Sequence, residues 1–156
     1  MNARDAALRD LQTQIGRSYG PSRWITVDQP MIDQFAETTQ DDQFIHVDPD
    51  RAAQTPLGGT IAQGFLTLSL ASRFSYDSFE DLPGQHMGIN YGFDRLRFLA
   101  PVRAGAQVRG HFTLTGAAAR DTAAILRTVA LRIEIEGHDK PALAADWLTL
   151  ILFDTP

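Results

Sequence analysis

The chain reads as an α+β domain in which a curved antiparallel sheet wraps around one long, apolar central helix. Three observations carry that reading. Residues 60–74, Thr-Ile-Ala-Gln-Gly-Phe-Leu-Thr-Leu-Ser-Leu-Ala-Ser-Arg-Phe, are apolar on nearly every side of a helical wheel, the pattern of a helix enclosed by other structure. The second half then switches to period two: Val129, Leu131, Ile133 and Ile135 alternate with Thr128, Arg132, Glu134 and Glu136 after an ambiguous start at Ile125. Pro101, Gly105, Gly137 and Pro141 fall between such runs as turn signals.

Taken in order, residues 5–15 form an amphipathic helix with Leu8, Leu11 and Ile15 at i, i+3 and i+7, followed by breakers from Gly16 to Ser22. Trp24 to Val27 suggests a short strand. Asp28 is a good N-cap and Pro30 suits a first turn, so a helix runs through Ile32, Phe35 and Ala36 to Thr39. Asp48-Pro49 repeats that signal and opens a short helix through Ala52 and Ala53, which leaves His46 in a bend between two helices. After the apolar helix, strands are expected at Met87–Phe98, Gln107–Ala117, within 125–136, and at Leu143–Phe153. Residues 1–156 make one domain, with a helical extension over about residues 1–22.

Composition narrows the function classes. Cysteine is absent, which removes disulfides, thiolate zinc sites and a cysteine nucleophile, and fits a cytoplasmic protein. No stretch reaches the ~20 apolar residues of a membrane span, and the N-terminus lacks a signal-peptide pattern. Net charge is -5 and the 14 basic residues form no block, so nucleic acid is not an expected partner. Arg95, Arg97 and Arg103 could meet an anionic ligand or merely solvate a surface.

The segment Thr39-Gln40-Asp41-Asp42-Gln43-Phe44-Ile45-His46 supplies a carboxylate and an imidazole, the groups best suited to moving protons near neutral pH. Each has an ordinary reading beside the chemical one: Asp41 as a turn former, His46 as a hydrogen-bonded core histidine. His46, His86, His111 and His138 have no close ligand spacing, which argues against a metal site. Neither a Gly-x-Ser-x-Gly elbow nor a phosphate loop is present. Gly64 falls in the first turn if its helix starts near Ile61–Gln63, where its free N–H could polarise a carbonyl. Equally, it could serve close helix–sheet packing.

Asp41-Asp42-Gln43-Phe44-Ile45-His46 with Ala52 resembles the hydratase 2 motif of the MaoC-like (R)-specific enoyl-CoA hydratases, a branch of the hot-dog fold. Ile61-Ala62-Gln63-Gly64-Phe65-Leu66 and Asn90 to Val102 extend the similarity, especially to the nodulation protein N-like subgroup, over about Trp24 to Val108. The resemblance implies that Asp41 and His46 activate water for addition to a trans-2-enoyl thioester, giving a (3R)-hydroxyacyl product. It implies that the Gly64 N–H binds the thioester carbonyl and that Ser72 shapes the site beside the pair. The thioester, of CoA or acyl-carrier protein, is substrate, no cofactor is called for, and a homodimer with sheets joined edge to edge is expected. Four positions depart from the motif: Gln40 replaces Gly, Gln43-Phe44 replaces Asn-Pro, and Gln63 replaces the His before the oxyanion glycine. Gln43 can hydrogen-bond as Asn would, and Gln43 and Gln63 reshape the substrate pocket. A hot-dog thioesterase and a non-catalytic acyl-thioester-binding subunit are the alternatives, because one fold hosts many functions.

Overall fold

In a computed structural model, residues 2–154 are described; Met1, Thr155 and Pro156, the ends of the expected 1–156 domain, lie outside the described residues. Helix α1 spans Ala3–Thr13, capped by the Asn2 side chain on the Asp5 N–H. It begins and ends two residues earlier than the apolar spacing suggests, because Asn2 supplies the cap and Ile15, expected on the buried face, lies beyond the helix and is exposed. The breaker stretch that follows contributes a short strand, β1 (Ser18–Tyr19), paired with Thr113 and Phe112. Strand β2 (Ile25–Val27) and helix α2 (Gln29–Thr39) follow, with the Asp28 carboxylate accepting from the Met31 N–H.

His46 does not sit in an open bend. It lies inside a one-turn helix, α3 (Phe44–Val47), directly followed by α4 (Pro49–Ala53), which Asp48 caps at the Arg51 N–H. The central helix, α5 (Gly64–Ser78), starts four residues later than its apolar run. Residues 60–63 are extended instead, because Ile61 bridges to Arg103 and the Ala62 N–H donates to the Val102 carbonyl. Nor is α5 buried on all sides: Leu66, Thr67, Ala71 and Phe74 face the sheet, whereas Phe65 and Tyr76 are exposed.

Strands β3 (Gln85–Phe98), β4 (Ala106–Ala119), β5 (Ala124–Ile135) and β6 (Leu143–Phe153) complete a six-stranded antiparallel sheet. The order is β1-β4-β5-β6-β3, with β2 also pairing β4. On β6 burial alternates residue by residue, so Leu143, Ala145, Trp147, Thr149, Ile151 and Phe153 all face the core. Phe74 of α5 seats directly on Gly110 of β4, where any Cβ would stand 2.7 Å from the Phe74 Cβ. Phe79, Phe112 and Trp147 continue the aromatic contact across the sheet. A helix laid along a bent antiparallel sheet is the hot-dog arrangement. Strand β3 forms one edge of it and is broken by three register shifts. Among the described residues, no helix is long and apolar enough to cross a membrane.

Candidate active site

The site is assembled by chain segments meeting just ahead of α5. The His46 ring is buried, and its Nδ1 lies 2.7 Å from the Ile61 carbonyl oxygen. A carbonyl can only accept, so Nδ1 carries a proton, and the tautomer this selects has its lone pair on Nε2. Sequence spacing gave no sign of this partner, which acts through a backbone atom. The α3 backbone is fixed as well: the Ile61 N–H donates to Ile45 (3.0 Å) and the His46 N–H to Gln43 (2.9 Å). Gln29, at the start of α2, donates through Nε2 to the His46 carbonyl at 2.7 Å and accepts the hydroxyl proton of buried Thr60. Sequence reasoning missed Gln29 and Thr60, 31 residues apart, for want of any local motif.

Gln63 is almost wholly buried, at 1% exposure. Its Nε2 reaches the Ile32 carbonyl (3.3 Å) and, more weakly, the Asp41 carbonyl (3.5 Å), tying the Asp41 loop to the start of α5. Its Oε1 has no partner among the described residues, which leaves a buried acceptor for a bound molecule or water to satisfy. Gly64 is the first residue of α5, and its N–H makes no hydrogen bond among the described residues, as a first-turn donor should not. It opens on an apolar cavity of about 260 Å³ lined also by Ile61, Thr67, Phe98 and Val102. Gly64 also serves close packing, since the Phe98 ring would lie 3.0–3.2 Å from any Cβ there.

Asp41 follows α2, which Gln40 ends in the left-handed conformation with φ 61°. The Asp41 carboxylate is solvent-facing, and its backbone is what Gln63 holds. Gln43 caps α3 through its carbonyl only, and its exposed side chain makes no capping bond. Thus His46, Gln63, Gly64 and the Asp41 backbone are brought together. Ser72, two turns along α5, lines a different cavity with Ser75, Asn90, Arg127 and Thr149. The three arginines do not form an anion site: Arg95 pairs with Asp146, Arg97 donates to the Leu96 carbonyl, and Arg103 lies against Gly58. Among the described residues, no three His, Asp or Glu side chains gather as metal ligands.

Comparison with known proteins sets this geometry in context. Residues 10–134 match the family profile described as the MaoC like domain. Nodulation protein N of Rhizobium leguminosarum bv. viciae is 48% identical over 151 residues, covering 96% of this chain and 94% of that protein. The 3-hydroxyacyl-thioester dehydratase Z of Mycobacterium tuberculosis is 40% identical over 140 residues, covering 90% and 92%. Among solved structures, the (R)-hydratase from A. caviae involved in PHA biosynthesis superimposes with a TM-score of 0.69 at 25% identity, covering 86% of this chain and 94% of that one.

Proposed function

The chain belongs to the MaoC-like domain family, and on that premise we propose that it is a hydro-lyase adding water reversibly to a trans-2-enoyl thioester to give a (3R)-hydroxyacyl thioester. The observation that carries the reading is the His46–Ile61 hydrogen bond, which fixes a buried ring through Nδ1 to a carbonyl three residues before the unpaired amide at the start of α5 and leaves Nε2 as its free nitrogen. Hydration needs a base to take a proton from water as oxygen attacks C3, and an acid to deliver one to C2. We assign those roles to His46 and Asp41 by their place in the family motif; of the two, only the His46 side chain is fixed within the site of the single chain, the Asp41 carboxylate facing solvent. Charge develops on the thioester oxygen as the enolate forms, and we assign the Gly64 N–H as its donor because it is unpaired at the start of α5 and borders an apolar cavity. Because water adds without change of oxidation state, the chemistry calls for no redox cofactor.

The same reading makes the protein a homodimer joined along β3. That edge strand is exposed over most of its length and carries Met87, Ile89 and Tyr91 outward, an unpaired ladder that a second copy would cover. The substrate is a CoA or acyl-carrier-protein thioester. Turnover is tested by mixing the protein with crotonyl-CoA and longer trans-2-enoyl-CoAs and following the fall in conjugated-thioester absorbance. Hydration without thiol release is expected. Thiol release without hydration would make it a thioesterase, and tight binding without product a non-catalytic subunit.

A further inference from the structure

Arg127 is a cation on the wrong side of the sheet for a solvated charge. On β5 it stands between Ile125 and Val129, both buried on the core face, and across from buried Thr149 of β6. Its guanidinium carbon is 4.4 Å from the centre of the Phe79 ring, and burial holds its pKa below the usual arginine value. Its Nε donates to the Thr149 hydroxyl at 3.2 Å. No carboxylate pairs with it among the described residues. Arg127 lies between two cavities: one of about 250 Å³, lined on the helix side by Ser72 and Ser75, and one of about 360 Å³, lined by Asp10, Tyr19 and Leu114. The Ser75 hydroxyl is spent on the Ser72 carbonyl, whereas the Ser72 hydroxyl makes no bond among the described residues, and Thr149, already accepting, keeps a proton to donate. Glu80 and Asp81 also border the cavity, but both are exposed.

The Ser72 cavity lies farther along α5 than the Gly64 cavity, with which it shares no lining residue. Gly64, Leu68 and Ser72 follow one another at i, i+4 and i+8 on a single stripe of α5. Eight residues at 1.5 Å rise place Ser72 about 12 Å along the helix from the Gly64 amide, the span of a medium-length acyl chain. Strand β3 borders both cavities, with Phe98 at the Gly64 cavity and Asn90 at the Ser72 cavity. A buried guanidinium without a counter-charge is costly, and a carboxylate taken by its planar fork would offset that cost more fully than a methyl group could.

Resting on the hydratase reading, we propose that the Ser72–Arg127 cavity receives the far end of the acyl chain and selects thioesters that carry a carboxylate there. Arg127 is the binding residue, with the Ser72 and Thr149 hydroxyls beside it.

The test compares trans-2-decenoyl-CoA with the trans-2-decenedioyl mono-CoA thioester, which replaces the terminal methyl by a carboxylate. The wild-type protein should show a kcat/KM at least about tenfold higher for the carboxylated substrate, the worth of one charge-assisted hydrogen bond. Arg127→Met should bring that ratio to one or below, and Arg127→Lys, which keeps charge without the fork, should fall between. Equal or opposite preference in the wild type overturns the proposal, as does a ratio that survives in Arg127→Met. If Arg127→Met does not fold, the wild-type ratio and Arg127→Lys decide. If neither substrate turns over, the hydratase reading fails while the selectivity is still decided by calorimetry with decanoyl-CoA and its terminally carboxylated analogue. At least about tenfold tighter binding of the carboxylated ligand sustains the selection, and equal or weaker binding removes it.

Discussion

Replacing Gly64 by alanine should separate catalysis from stability. The added Cβ would lie 3.0, 3.1 and 3.2 Å from Cε1, Cδ1 and Cζ of Phe98, close enough that the ring must move by a few tenths of an ångström. Phe98 can do so, because it ends β3 and is 48% exposed. Alanine is also the better helix former, by up to about 1 kcal/mol in a helix interior and less at a first position. These effects oppose one another, so global stability should stay within about 1 kcal/mol of wild type. The active site has no such tolerance. The new methyl group and the displaced ring occupy the cavity at the amide proposed above to meet the thioester oxygen. Misplacing one oxyanion donor typically costs about 3 kcal/mol, so kcat on an enoyl-CoA should fall by about a hundredfold. Urea denaturation and initial-rate hydration on the same preparation make the comparison. A variant within threefold of wild-type kcat would refute the placement of the carbonyl at Gly64, whatever its stability.

Three further outcomes follow from the packing and hydrogen bonding. Gly110→Ala should lower stability by about 1–3 kcal/mol in urea, because its Cβ meets the Phe74 Cβ at 2.7 Å and that atom cannot swing away; an unchanged midpoint would contradict the packing. Gln29→Ala removes the donor on the His46 carbonyl and the acceptor of buried Thr60, so kcat should drop about tenfold with little change in KM, and a pure KM effect would place Gln29 with substrate instead. Glu134 accepts from Arg109 and His111, and the Arg109 hydrogen bond, ahead of the others, holds its carboxyl below the ordinary 4.5. A depressed carboxylate stabilises the fold above its unfolded-state value and loses that contribution as pH falls through the folded-state value. Glu134→Gln should therefore be less stable by at most about 1 kcal/mol at neutral pH, with the gap closing below about pH 4.5; a gap constant with pH would show that the ionised form is not what matters.

Local signals carried the elements whose caps are local. Asp28 and Pro30 marked the start of α2, and Asp48-Pro49 that of α4, because a cap and its helix are neighbours in sequence. The elements misjudged are those decided by distant partners. The strand at Ser18–Tyr19 exists through Thr113 and Phe112, and residues 60–63 are drawn out of the helix by Val102 and Arg103, although their apolar character continues the helical pattern. His46 could be read as proton-active from its type, but its tautomer depends on the Ile61 carbonyl, 15 residues away. Arg127 was legible in part. Counting back by twos from Val129 puts it on the core face, a signal masked by the apolar Ile125-Leu126 before it, which blurs the alternation.

The central claim is that His46 and Asp41 carry a hydration at the foot of α5. It is tested most directly by measuring trans-2-enoyl-CoA hydration for wild type, Asp41→Asn and His46→Gln, with chirality of the product determined and folding checked by circular dichroism. The expected result is a (3R)-hydroxyacyl-CoA from the wild type and a loss of about a thousandfold or more in each variant with the fold intact. Near-wild-type rates in either variant, or a (3S) product, would contradict it.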